Sequence, residues 1–199
     1  MLGRVQTVAP TVEPITLAEA KLHLKQDAVE DDALISSLIV AARRHCESRL
    51  GQQLVTATYR LTLDCPPCGC ELELPVPPLQ SVTSFQYIDI AGATQTWDSS
   101  KYLVDTSRMP GRVYPAWNVP WPNTRGDHNC YTITFVAGYG DAAAVPDTIK
   151  AAIKLLVGHW YEHREAASEV SITSIPLAVD SLLAGEWHGA VCLEGIEDE

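Results

Sequence analysis

The chain has 199 residues, 46% of them hydrophobic and 20% charged, which suffices for the core of one domain with a long insertion or of two small domains. Its net charge is −11, with 25 acidic residues against 14 lysines and arginines. Because basic side chains supply most of the affinity for nucleic acid, this balance argues against a protein that grips DNA. No apolar run approaches the roughly 18 residues of a membrane-spanning helix, so we expect no membrane contact.

The first 14 residues, MLGRVQTVAPTVEP, contain no apolar segment of the kind found in secretory signals. Pro10 and Pro14 indicate an extended N-terminal arm over 1–14. Without an export signal, we expect the cysteines to be reduced.

Helical spacing of apolar residues predicts four helices, near 17–26, 31–50, 147–165 and 178–184. Thr16 and Glu19 form the pattern of a capping box before the first helix. The predicted core residues of the two long helices are Leu34, Leu38, Ile149, Ile153, Leu156 and Trp160.

The middle of the chain, about 54–137, changes to a period of two. Tyr59, Leu61 and Leu63 alternate with polar residues, as expected for strands of a half-buried sheet. The predicted fold class is therefore α+β, an α-helical bundle core with an inserted antiparallel β region. The predicted division is an arm (1–14), a helical domain (15–53 and 145–186), a β-rich region (54–144) and an acidic C-terminal tail (187–199).

The segment YPAWNVPWP (114–122) combines Trp117 and Trp121 with three prolines, so it cannot form regular structure. Two interpretations stay open. Both indoles cover one side of the sheet, or they contact another protein, since tryptophan is enriched at interface anchors.

The segment HWYEH places His159, Glu162 and His163 in the H-x-x-E-H order of inverted zinc proteases. Histidines four residues apart share one face of a helix, where they can bind one metal. Catalytic zinc normally needs a third protein ligand, and only 36 residues follow His163. Packing of these histidines is the favoured interpretation, so no metal site is predicted there.

The segment CPPCGC brings Cys65, Cys68 and Cys70 together in a predicted turn. A structural zinc site usually uses two well-spaced pairs of ligands, and here one cluster is present. We also find neither a phosphate-binding glycine loop nor a nucleophile elbow. The chain is therefore predicted not to be an enzyme, without catalytic residues, metal or cofactor.

Three segments together resemble the head–tail connector (adaptor) proteins of tailed bacteriophages. They are ITLAEAKLHLKQD with DDALISSLIVAARRHCESRLGQQL (within 15–54), VPDTIKAAIKLLVGHWYEHREA (145–166) and IPLAVDSLLAGE (175–186). They cover close to half of the chain and occur in the expected order. Residues 55–144 have no residue-by-residue match to that family.

The resemblance implies a structural protein of the virion neck. Such connectors form a ring, commonly of twelve copies, beneath the portal protein, extend the DNA channel and dock the next head-completion, tail-terminator or tail protein. DNA would pass through the acidic ring without sequence-specific binding. Under this hypothesis Arg43, Arg44 and Arg164 are candidates for contacts between subunits or with the portal, and Trp117 and Trp121 for contacts with the next neck protein.

Three alternatives remain. The first is a zinc-dependent hydrolase that uses His159, Glu162 and His163. The second is a small zinc-stabilised binding module built on Cys65, Cys68 and Cys70. The third is a different neck protein, such as a head-completion or tail-terminator protein.

Overall fold

The computed structural model describes residues 2–65, 69–163 and 177–186. Within these residues the helices are α1 (Leu17–Leu24), α2 (Asp32–Leu50), α3 (Asp147–Glu162) and α4 (Leu177–Ala184). The strands are β1 (Leu2–Val8), β2 (Ala57–Leu63), β3 (Leu72–Glu73), β4 (Leu79–Ile88), β5 (Thr94–Thr96), β6 (Tyr102–Asp105), β7 (Arg112–Pro115) and β8 (Tyr131–Ala137). No helix in these ranges is long and apolar enough to cross a membrane.

The strands form two antiparallel sheets, one in the order β1-β2-β8-β4-β5 and one in the order β3-β7-β6. In the larger sheet Leu61 lies opposite Ile133, which in turn lies opposite Phe85, and all three are buried. The alternate residues form the other face, where Arg60, Thr134 and Ser84 are neighbours. The period of two therefore separates an apolar inner face from a hydroxyl-rich outer face.

Two hydrophobic clusters hold the fold together. The first joins the helices through buried residues that include Ile35, Ile39, Ile153 and Leu156. The second lies between the sheets and contains the buried aromatic residues Tyr59, Phe85, Trp97, Tyr102, Tyr131 and Phe135. Each cluster buries side chains from distant parts of the sequence, so each acts as a core of its own.

The predicted fold class, a helical bundle core with an inserted β region, is wrong. The described residues form a sheet-rich mixed fold of two antiparallel sheets and four helices. The larger sheet is not confined to the middle of the chain, because β1 precedes the first helix and pairs with β2 from Leu2 to Val8. The sheets also have their own aromatic core and do not depend on a helical bundle for burial.

The helices occur near the predicted positions. The capping box of α1 is confirmed, since Thr16 Oγ1 accepts a hydrogen bond from the Glu19 amide and Glu19 Oε2 accepts one from the Thr16 amide. The buried stripe of α2, however, runs through Ile35 and Ile39 instead of Leu34 and Leu38, which are half-buried. The last two residues of the predicted helix 147–165, the acidic tail 187–199, Arg164 and Cys68 lie outside the described residues.

A network of buried and half-buried polar groups joins the helices to the larger sheet. The Glu47 carboxylate near the end of α2 accepts hydrogen bonds from Arg43 Nη1 at 2.7 Å, from Gln53 Nε2 at 2.6 Å and from the Leu54 amide at 3.2 Å. Arg43 also donates through Nε to Glu13 at 2.7 Å. Gln53 Oε1 accepts a hydrogen bond of 2.5 Å from the Tyr59 hydroxyl of β2, so the network runs from the helical layer into the sheet.

Burial sets the electrostatics of this network. It raises the pKa of Glu47, although the Arg43 guanidinium and the Leu54 amide act in the opposite direction. Burial would lower the pKa of Arg43, but its bonds to Glu13 and Glu47 outweigh that and raise the pKa. With three donors on one carboxylate, we infer that Glu47 and Arg43 form an ion pair at neutral pH.

We expect Arg43→Met to lower the free energy of unfolding by about 3–5 kcal/mol at pH 7, because it leaves the Glu47 carboxylate buried without a cation. Losing the cation raises the folded-state pKa of Glu47 further above its ordinary 4.5. The folded variant then gains stability from proton uptake as the pH falls through this raised value toward 4.5. Urea unfolding between pH 7 and pH 5 should therefore show that the difference in unfolding free energy between wild type and variant becomes smaller as the pH falls.

The control for Arg43→Met is the double variant with Glu47→Gln. Glutamine carries no charge and can still accept a hydrogen bond from Gln53 Nε2, so the double variant should be more stable than the single one at pH 7. A loss for Arg43→Met that does not change with pH would contradict the ion-pair assignment.

Gly138 and Gly140 both have φ +119°, but only one of them has backbone close to its missing side chain. A Cβ atom on Gly138 would lie 2.6 Å from the Val55 carbonyl oxygen, whereas on Gly140 the nearest atom, Ala144 Cβ, is 3.9 Å away. Gly138 also donates its amide to the Pro78 carbonyl at 2.9 Å. The backbone just after β8 therefore packs closely against the segment just before β2.

We expect both Gly140→Ala and Gly138→Ala to lose about 1–3 kcal/mol of unfolding free energy, because alanine is strained at this φ. Gly138→Ala should lose more, since Val55 backbone must also move. Because Gly138 and Gly140 have the same φ, the difference between the two variants in urea unfolding measures the effect of the contact with Val55. Equal losses of unfolding free energy in the two variants would show that the close contact with the Val55 backbone does not add to the effect of Gly138→Ala.

Candidate functional site

The loop after β7, residues 116–121 (the Trp117 loop), presents the most exposed large apolar side chain of the described chain. Trp117 is 96% exposed. The loop is tied down on both sides of it, since the Ala116 amide donates to the Lys101 carbonyl at 2.9 Å and the Val119 amide donates to the Ala116 carbonyl at 3.0 Å. Asn118 closes the turn with φ +60°. The indole therefore projects from a backbone that is held in place.

Trp121 is the anchor of the same loop. Its ring lies 5.4 Å from the ring of Trp97 and 6.1 Å from that of Phe85, both in the sheet core. Its Nε1 donates to the Gly69 carbonyl at 3.3 Å. The two predicted interface tryptophans thus have different environments, because Trp121 is half-buried against the core and Trp117 faces solvent.

A groove of about 700 Å³ runs beside the Trp117 loop. Its charged lining includes Glu71, Asp105, Arg108 and Arg112. Arg112 hydrogen-bonds to Glu71, which raises the pKa of Arg112, and it pairs with Glu73 at 2.8 Å.

The charges along the groove compensate one another. Arg108 Nε lies 3.6 Å from Asp105. The Ser107 hydroxyl and amide donate to Asp105 and lower the pKa of that carboxyl, so it is ionised at neutral pH. An exposed indole beside paired charges is typical of a surface that binds protein, whereas a DNA-binding groove needs an excess of positive charge.

The sequence did not identify this groove. Arg112 and Glu71 lie 41 positions apart, and no local spacing relates them. They meet because β3 pairs with β7, with Glu73 opposite Arg112. The Pro-Trp pattern of 114–122 was the available signal.

The three predicted interface arginines differ in environment. Arg43 is 5% exposed and bonded within its own chain to Glu13 and Glu47, as described above. Arg44, the next residue on α2, is exposed. Arg164 lies outside the described residues.

The H-x-x-E-H segment lies at the end of α3. The rings of His159 and His163 are 4.7 Å apart, and Glu162 and His163 are exposed. Tyr161, between them, donates to Asp31 at 2.5 Å and accepts from Gln26 at 3.1 Å. Within residues 2–65, 69–163 and 177–186, no three His, Cys, Asp or Glu side chains come together as metal ligands.

The cysteines with a described environment fall into two classes. Cys65 and Cys70 are exposed, and Cys46 and Cys130 are buried. Burial raises the pKa of Cys46 to about 12, so its thiol is protonated and unreactive at neutral pH.

Comparisons with known proteins place the chain among structural proteins of phage-like particles. The family model for head completion proteins matches residues 13–175. No curated protein matches the sequence.

Solved structures match over 98% of this chain and 98% of theirs. They are a chain of the neck of an empty gene transfer agent (GTA) particle computed with C6 symmetry (TM-score 0.76, 26% identity), a chain of the virion of a native GTA particle (0.76, 26%) and a chain of the neck of a native GTA particle computed with C12 symmetry (0.72, 28%).

The predicted relation to the neck proteins of tailed phages is confirmed at this level. The family model covers more than half of the sequence, from the segment before α1 to the segment before α4. The chain therefore belongs to the head completion protein family.

Proposed function

We propose that this chain is a structural protein of the virion neck, repeated as a ring beneath the portal protein. The observation that carries the proposal is the match over 98% of both chains to neck structures computed with C6 and C12 symmetry. Cyclic symmetry of this kind uses heterologous contacts, in which two different surfaces of each copy meet. Twelve copies is the proposed number.

The proposed role combines that of an adaptor with that of a head completion protein. As an adaptor, the ring extends the DNA channel from the portal and offers a platform to the next neck or tail protein. The family match to head completion proteins supports the step in which such a ring completes the head. The role is structural and involves no catalysis or cofactor.

The net charge of −11 supports free passage of DNA through the ring. Acidic walls repel phosphate, so DNA passes without the counterion release that drives tight binding. The helical domain (15–53 and 145–186) and the β-rich region (54–144) are proposed to contact different neighbours in the neck.

The Trp117 loop is proposed as the docking point for the next neck or tail protein. A fully exposed tryptophan on a fixed loop can bury its ring in a partner without first ordering the backbone, which lowers the entropic cost of binding. The groove beside it supplies paired charges for the rim of such a contact.

Trp117→Ala should leave the unfolding temperature unchanged and block tail attachment. In the particle system from which the chain comes, removal of the chain should leave DNA-filled heads without tails. Wild-type chain should restore tailed particles, counted by electron microscopy, and Trp117→Ala should restore few of them. A full yield of tailed particles with the variant would reject the Trp117 loop as the docking point.

The matched control is Trp121→Ala. Because this indole packs on Trp97 and Phe85, its loss should lower the unfolding free energy by about 2–4 kcal/mol. The two variants separate a loss of contact from a loss of folding.

Arg44→Glu tests the proposed contact between subunits or with the portal. Arg44 is exposed, so the monomer should stay folded, while Arg43→Glu would place two carboxylates together inside the chain. Native mass spectrometry of the wild type should show a ring of about 260 kDa for twelve 21.7 kDa copies, either free or as an added mass on the portal. Arg44→Glu should shift it toward monomer, and an unchanged ring would exclude Arg44 from the interface.

A further inference from the structure

Strand β1 is the longest edge strand of either sheet, and no other strand of the described residues pairs with its outer side. It spans seven residues and pairs on one side with β2. All residues from Gly3 to Ala9 are exposed, although six of them belong to the sheet. Val5 is 62% exposed and Val8 is 52% exposed.

The other sheet ends differ from β1 in length. Edge strands β5, β3 and β6 have three, two and four residues. Short edges limit pairing with another chain, as do prolines and lysines. Strand β1, LGRVQTV, has neither of these residues and carries its charge at Arg4. Within the described part of the chain, its outer row of backbone groups is thus available to a further strand.

A second uncovered edge lies at the opposite end of the same sheet. Strand β4 runs from Leu79 to Ile88, but β5 pairs with it only from Gln86 to Ile88. Among the described residues no strand pairs with the outer side of Leu79–Ser84. Ser81 and Thr83 in this half are exposed.

We propose that β1 of one copy pairs with Leu79–Ser84 of the neighbouring copy, so that the larger sheets of the ring join edge to edge. The proposal rests on the proposed ring. Pairing of β1 with a second β1 would be isologous and would close a dimer, whereas a ring needs two different surfaces on each copy. The two uncovered edges supply such a pair.

Strand direction supports this pairing. Each neighbouring pair from β1 through β2 and β8 to β4 is antiparallel, so β1 and β4 run in opposite directions. A neighbouring copy in the same orientation therefore presents its β4 antiparallel to β1, which is the favourable arrangement for a strand added to this sheet. The exposed Val5 and Val8 would then lie against the side chains of the neighbour's β4.

The first test is the variant Val5→Glu with Val8→Glu, compared with wild type by native mass spectrometry and sedimentation. Val5 lies opposite Arg60 of β2, so a carboxylate there is accommodated within the monomer. At the junction, however, two new charges must lose water. We expect self-association to weaken at least about tenfold, with an unchanged unfolding temperature.

The matched control is Leu22→Glu with Val29→Glu, which adds the same charge at side chains that are 81% and 71% exposed and far along the chain from both edges. This control should associate like wild type. Equal weakening of both variants would mean that net charge is responsible, and it would overturn the proposal.

A second test locates the contact. In a background with Cys65, Cys68, Cys70 and Cys192 replaced by Ser, Val5→Cys combined with Ser81→Cys should give crosslinked ladders with a short bismaleimide. Leu22→Cys combined with Ser81→Cys should not. A wild-type ring without the β1–β4 crosslink would overturn this pairing but not the neck function. A wild-type chain that stays monomeric both alone and with portal would also overturn it, and the yield of tailed particles would then test the neck function separately.

Discussion

The largely buried ion pair of Glu47 and Arg43 is the contact on which the arrangement of the two layers depends. Glu47 lies where α2 ends and the chain turns toward β2, and its carboxylate holds both the Gln53 side chain and the Leu54 amide. Gln53 in turn accepts a hydrogen bond from Tyr59 in the sheet. The hydrophobic clusters are non-directional and could slide against each other, whereas this network has one geometry that satisfies its donors and acceptors. It therefore fixes how the helices sit on the sheet.

A fixed orientation of helices and sheets matters for a protein that repeats around an axis. In the proposed ring, a small rotation between the layers would be repeated at every subunit and would displace the contact surfaces of the whole assembly. The same rigidity is found at the Trp117 loop, where Trp121 is held by the aromatic core and by Gly69. Because its neighbour is anchored, the Trp117 indole can stay exposed at a defined position.

Periodicity predicted the helices, since Ile149, Ile153 and Leu156 of α3 repeat on one face and Thr16 with Glu19 caps α1. It did not predict the environment of Arg43. An arginine four residues before a glutamate is typical of an exposed helical pair, and its burial depends on Glu13, which is 30 positions away. The β1 strand was missed for the same reason, because its partners in β2 are 50 or more positions away. The Trp117 loop was found from its composition, but the difference between its two tryptophans depends on the sheet core.

The open edge of β1 and the exposed Trp117 are both costly in an isolated chain. Uncovered strand edges and apolar rings favour aggregation, and a monomeric protein usually blunts or buries them. Here the strong negative charge of the chain opposes indiscriminate association, since every approach of two copies brings like charges together. Only contacts that satisfy many groups at once, such as a row of backbone hydrogen bonds, overcome that repulsion. In the proposed ring, net charge and open edges thus act together: the charge disfavours weak encounters, and the strand edges stabilise the one orientation that closes the ring.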